Sequence, residues 1–183
     1  MKALLIILLV LVGSLARAQQ EPYRFSPLPL DTKSHQVVYT ATMPVAGISK
    51  AQLLSRTQEW AAQLARRYQT TTARLDAETS TLTTRVTLKN GQESYGCQVL
   101  VRTQDGAYQY VLSHVTRTEP AYARAGKYSP ATPTTSPIET LVYTRPTKYR
   151  DKKLAEIDTL LRRLLSDLNQ RLLNPADGLA QQQ

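Results

Sequence analysis

The pattern of apolar and polar positions changes period twice between Gln36 and Thr118. In "QVVYTATM", Val37, Tyr39, Ala41 and Met43 share one side and Val38, Thr40 and Thr42 the other, the two-residue period of a strand. Pro44 and Gly47 stop it, and the period then lengthens. Ser49 stands as an N-cap, Gln52 completes a capping box, and Ile48 is placed to staple onto Leu53. Behind this start, Leu53, Leu54, Thr57, Trp60, Ala61 and Leu64 fall on one side of a helix, while Lys50, Arg56, Glu59 and Arg66 fall elsewhere. Trp60, the sole tryptophan, is therefore expected to anchor a core.

The period then returns to two for some fifty residues, with turn signals at the breaks. "TTTARLD" turns at Ala77-Glu78, "TSTLTTRVTLK" at Asn90-Gly91, and "SYGCQVLVRTQ" at Asp105-Gly106 into "AYQYVLSHVTRT". Leu82, Thr84, Val86 and Leu88 oppose Thr83, Arg85, Thr87 and Lys89, so one face meets a core and the other meets water. Tyr95, Cys97, Val99 and Val101 form the apolar set of the next strand, which makes Cys97 a small buried hydrophobe.

Residues 119–147 carry five prolines and read as a long loop, with "IETLVYT" as a short added strand inside it. The last element, "DKKLAEIDTLLRRLLSDLNQRLL", starts at Asp151 as its cap. Leu154, Ile157, Leu161, Leu164, Leu165, Leu168 and Leu172 make one apolar stripe along it, and Asn174-Pro175 stops it. Part of that stripe also follows a heptad, which leaves a coiled-coil dimer as an alternative to packing on the chain's own sheet. The order β-α-β-β-β-β-α predicts a two-layer α+β sandwich, an antiparallel five-stranded sheet with helices on one face.

The ends add an address. "MKALLIILLVLVGSLARAQQ" has the basic start, apolar run and Ala-Arg-Ala ending of a signal peptide over residues 1–18. Its apolar run is about half the roughly 20 residues a membrane-spanning helix needs. Residues 19–35, with three prolines, read as an extended linker or a strap across the surface; 36–118 and 148–174 form the folded domain, and 175–183 a disordered tail. A lone Cys97 in an exported chain forms no internal disulfide, so stability is left to packing. The full chain of 183 residues has 23 basic and 14 acidic side chains, a net charge of +9, of which Lys2 and Arg17 leave with the signal peptide. Such a charge favours contact with lipid headgroups, acidic glycans or nucleic acid, with solubility alone as the alternative.

Catalytic patterns are sparse. The chain has two histidines and one cysteine, with no His-Glu-x-x-His, paired-cysteine, Gly-x-Ser-x-Gly or phosphate-loop motif, so no metal or cofactor is expected. Ser113-His114 invites a hydrolase reading, but strand neighbours point to opposite faces, which predicts that the two side chains do not meet.

The run "VVYTATMPVAGISKAQLLSRTQEWAAQLARRY", continued by "LTTRVTLKNGQESYGCQVLVRTQDGAYQYVLSHV", resembles a secreted bacterial family of unknown function with a TBP-like fold, common in the Bacteroidetes. Gly47, Ser49, Lys50, Leu53 and Trp60 match its helix start, leucine and late tryptophan, whereas "STLTTRVTL" lacks the family's third-strand glycine. The resemblance covers about Gln36 to Thr118; it implies a fold and an envelope address and brings no activity. Nucleic acid is disfavoured as partner, because minor-groove binders insert apolar wedges and the sole phenylalanine, Phe25, lies in the linker.

The function expected from these residues is that of an exported, non-catalytic and monomeric binding module for an envelope protein or an anionic glycan or lipid surface. Its candidate binding residues are Thr83, Arg85, Thr87 and Lys89 on the exposed sheet face and Tyr122, Arg124, Lys127 and Tyr128 in the Pro/Tyr-rich loop. The alternatives are a small envelope hydrolase centred on His114 and a structural dimer joined through the last helix.

Overall fold

The computed structural model describes residues 26–70, 73–120 and 132–174. In chain order the elements are β1 (Tyr39–Pro44), α1 (Lys50–Arg67), β2 (Gln69–Thr70), β3 (Arg74–Asp76), β4 (Thr81–Asn90), β5 (Glu93–Gln104), β6 (Ala107–Glu119), β7 (Thr134–Pro137), α2 (Glu139–Val142) and α3 (Lys148–Leu173). The strands form one antiparallel sheet in the order β1-β6-β5-β4-β2, with β3 also on β4 and β7 also on β6. The α+β two-layer expectation holds, with seven strands where the sequence pattern predicts five.

The two extra strands have separate causes. "TTTARLD" does not form one strand: Gln69 lies opposite Thr87 and Arg74 opposite Thr83, five steps against four, so the pairing slips by one residue between β2 and β3. β7 comes from "TTSP", which pairs with Thr116–Glu119 beyond the stretch of β6 taken by β1. "IETLVYT" is helical rather than extended. Ile138 and Val142, four apart, are both buried, which one helical turn achieves and two-residue alternation does not. Glu139 beside them accepts from the Val37 backbone N–H at 2.8 Å.

Of the two readings of residues 19–35, the described part lies against the domain as a strap does. Leu28 is buried and Leu30 bridges to Val37, so the packed chain begins before Gln36; an apolar side chain among prolines is enough to pin an extended segment. The expected signal peptide, residues 19–25 and the tail from Pro175 lie outside the described residues. No helix among the described residues is long and apolar enough to cross a membrane.

Helix α1 begins as its sequence prescribes. Ser49 Oγ accepts from the Gln52 N–H at 3.3 Å while Gln52 Oε1 accepts from the Ser49 N–H at 3.1 Å. Leu53, Thr57, Trp60, Ala61 and Leu64 are its buried side. Helix α3 starts one turn earlier than expected. Thr147, not Asp151, is its cap, since Thr147 Oγ1 accepts from the Arg150 N–H at 3.1 Å. Arg150 itself is buried, and its guanidinium donates to the Val142 and Thr144 carbonyls at the end of α2, which holds that extra turn in place.

The core lies between the helices and one sheet face. Leu82, Val86 and Leu88 of β4 meet Tyr95, Cys97, Val99 and Val101 of β5 and Tyr108, Leu112 and Val115 of β6, with Trp60 and the whole α3 stripe buried against them. Burial pushes the Cys97 thiol up to about 12, so it is an unreactive core group. Because every stripe residue from Leu154 to Leu172 is at most 5 % exposed, a dimer through that stripe has no free apolar surface to use. The buried rings each find a polar partner: Tyr39 Oη donates to Asp158 at 2.7 Å, Tyr108 Oη to Asn169 at 2.8 Å, and Trp60 Nε1 to Asp167 at 3.2 Å.

Candidate binding surface

A strand that buries alternate residues must present the others to the opposite side, and the register shows which of these become neighbours. Thr83 pairs with Leu100 and Leu100 with Val111; Arg85 pairs with Gln98 and Gln98 with Ser113; Thr87 pairs with Gly96 and Gly96 with Thr116. On this outer face none of these side chains is buried among the described residues, and Arg85, Lys89 and Arg102 are exposed. Among the described residues the sheet is thus helix-covered on one side and open on the other.

All four expected strand residues lie on this open face. Arg85 and Lys89 are exposed, Thr83 and Thr87 half-buried beside them. The expected loop residues Tyr122, Arg124, Lys127 and Tyr128 lie outside the described residues. Arg85, Lys89 and Arg102 have no acidic partner among the described residues. Such cations keep their full field toward an incoming anion.

One expectation about this face is overturned. Ser113 Oγ lies 3.0 Å from His114 Nδ1, although they are adjacent in a strand. The cause is a β-bulge: pairing shifts between Gly96 and Gln98, and His114 takes a left-handed backbone with φ of 53°. That extra residue reverses the alternation, so Leu112 and then Val115 point inward while Ser113 and the exposed His114 approach one another outside. A Cβ added at Gly96 would meet Thr116 Oγ1 at 2.6 Å, so the missing side chain there lets Thr116 lie across the bulge. No carboxylate among the described residues contacts His114.

Where the open face meets the end of α1, the surface becomes concave. A cleft of about 320 Å³ is lined by Arg66, Arg67, Tyr68, Thr87 and Lys89. Arg66 and Arg67 occupy the last turn of α1, where cations complement the helix C-terminus. Tyr68 is the cap, and the antiparallel pairing of Gln69 with Thr87 brings that cap to β4. Arg67 reaches Asp167 at 3.5 Å with 60 % of its side chain exposed, a weak tie. The sequence pattern places Arg66 on the polar side of the helix and assigns no binding role to Arg66, Arg67 or Tyr68. Their signal was "RRY" directly before a strand, which becomes a site only once the register places β4 beside it.

No family model matches the chain, and no curated protein sequence matches it. Two solved structures share its fold. A TBP-like protein from Parabacteroides distasonis aligns with a TM-score of 0.61 and 12 % identity, over 79 % of this chain and 97 % of its own. A DUF4468 family protein from Bacteroides ovatus aligns with a TM-score of 0.61 and 13 % identity, over 86 % of this chain and 96 % of its own. The architecture is therefore TBP-like, and it is shared with proteins of the Bacteroidetes.

Proposed function

We propose that this chain is an exported, non-catalytic binding module that holds an anionic glycan or lipid surface on its open sheet face. The observation that carries the reading is the set of exposed cations on that face, Arg85, Lys89 and Arg102, which no acidic side chain among the described residues neutralises. The net charge of +7 that remains once Lys2 and Arg17 leave with the signal peptide adds a long-range field of the same sign. Export is supported by the leader pattern, whose apolar run suits removal better than spanning.

Binding to heparin and to phosphatidylglycerol vesicles tests this reading. The double variant Arg85→Ala/Arg102→Ala should bind both more weakly, most clearly at low salt, with an unchanged melting temperature because both side chains are exposed. Equal binding by that variant and the parent removes the open face from consideration.

A second reading, a small hydrolase centred on His114, is favoured by the contact between Ser113 Oγ and His114 Nδ1. It is chemically the weaker of the two, since a base on a strand surface without a carboxylate to orient it activates serine poorly. Turnover of simple esters that is abolished by Ser113→Ala would support it over the binding module.

A further inference from the structure

We infer that the cleft between the end of α1 and β4 is a binding site for a sugar phosphate. The inference deepens the binding-module reading, with which it shares Thr87 and Lys89, and adds a ligand of defined size. Arg66 and Arg67 alone are explained by their place at a helix C-terminus. Lys89 is not, because it comes from another element and converges on the same concavity. No acidic side chain lines the cleft among the described residues, and only Arg67 is tied to an acid nearby.

Three cations around one hollow suit a single multiply charged anion rather than a chain of spaced single charges. Two guanidinium forks match the oxygens of a phosphate, and the ammonium adds a point charge. At about 320 Å³ the cleft sits at the small end of small-molecule sites, the size of one sugar unit rather than a stretch of polymer. Tyr68, 36 % exposed, puts an aromatic ring in the lining, the kind of group that packs on the C–H side of a pyranose. Thr87 offers a hydroxyl that has no partner among the described residues. Charge and shape thus select an anionic group carried on a small ring.

Titration calorimetry of the full chain with glucose 6-phosphate tests the assignment. Saturable binding is expected, tightening between about pH 5 and about pH 7.5 as the phosphate loses its second proton near pH 6. Arg66→Ala and Lys89→Ala should each weaken it about tenfold or more, as expected for a lost hydrogen bond to a charged group. Tyr68→Ala should weaken glucose 6-phosphate while leaving inorganic phosphate binding unchanged. Absence of saturable binding overturns the site, as does equal affinity in Arg66→Ala, and binding of phosphatidate vesicles without glucose 6-phosphate overturns the sugar assignment. Arg85→Ala/Arg102→Ala lies outside the cleft and should keep full affinity for glucose 6-phosphate. Unchanged heparin and vesicle binding by that variant, with glucose 6-phosphate affinity intact, would remove the open-face reading and leave the cleft standing.

Discussion

Lys153 Nζ lies 2.9 Å from Glu93 Oε2, and through that contact helix α3 grips the start of β5. The other oxygen of Glu93 accepts from Arg117 Nη2 at 2.5 Å, and Tyr95 Oη donates to the Lys153-bound oxygen. Arg117 also pairs with Glu119, so one carboxylate joins β5, β6 and α3 at a partly buried point. Burial opposes the charge on Glu93, but the hydrogen bonds from Arg117, Tyr95 and Lys153 outweigh it and hold the carboxyl at about 2.

A stability change with pH follows, and its sign is fixed by that depression. The unfolded chain protonates Glu93 near the ordinary value of 4.5, whereas the folded chain does so near 2. The stabilisation is therefore complete above about pH 4.5 and is lost as pH falls toward about 2. Glu93→Gln should cost about 2 kcal/mol near neutral pH, the loss of hydrogen bonds to a charged group, with Arg117 still paired to Glu119 and Lys153 to Glu156. The difference between variant and parent should shrink on acidification. Urea unfolding across that range checks it, and a constant difference would show that Glu93 acts through packing instead.

Trp60 gives a second prediction, because it combines full burial with a polar tip. Trp60→Ala empties the space between α1 and the sheet and should cost about 3 to 5 kcal/mol. Trp60→Phe keeps most of the apolar contact, and besides the smaller ring it loses the 3.2 Å bond to Asp167, a carboxylate 38 % exposed that water can satisfy. Its cost should stay within about 1 to 2 kcal/mol. Denaturant midpoints of the two variants separate ring volume from hydrogen bond; equal losses would mean that the indole N–H dominates.

What the sequence made legible was whatever repeats with a fixed period. Alternation placed Leu82, Val86 and Leu88 inward and Arg85 and Lys89 outward, and the helical period placed Trp60 and the α3 leucines on the core. Features that interrupt a period were lost. β7 is four residues of "TTSP" without an apolar side chain, held by a ladder to Thr116–Glu119 that only the tertiary fold supplies. The bulge carries histidine rather than glycine at its left-handed position, so no residue type announced it. Arg66 and Arg67 read as ordinary helix-end charges because their meeting with Lys89 depends on how β2 pairs with β4.

His114 supplies the last prediction, and it separates backbone geometry from chemistry. A φ of 53° costs an L side chain about 1 kcal/mol or more, while glycine occupies it freely. The histidine ring is exposed and its one hydrogen bond among the described residues, with Ser113, is on the surface, where it returns little. His114→Gly should therefore raise stability by up to about 1 kcal/mol after the greater chain entropy of glycine is counted. His114→Ala retains the strained backbone and should bring no gain. Thermal unfolding of the pair decides the point: a loss of stability in the glycine variant would mean that the Ser113 contact outweighs the strain. If the glycine variant also binds heparin and glucose 6-phosphate as the parent does, the histidine serves neither binding reading, and its unfavourable backbone has to be explained by the bulge itself.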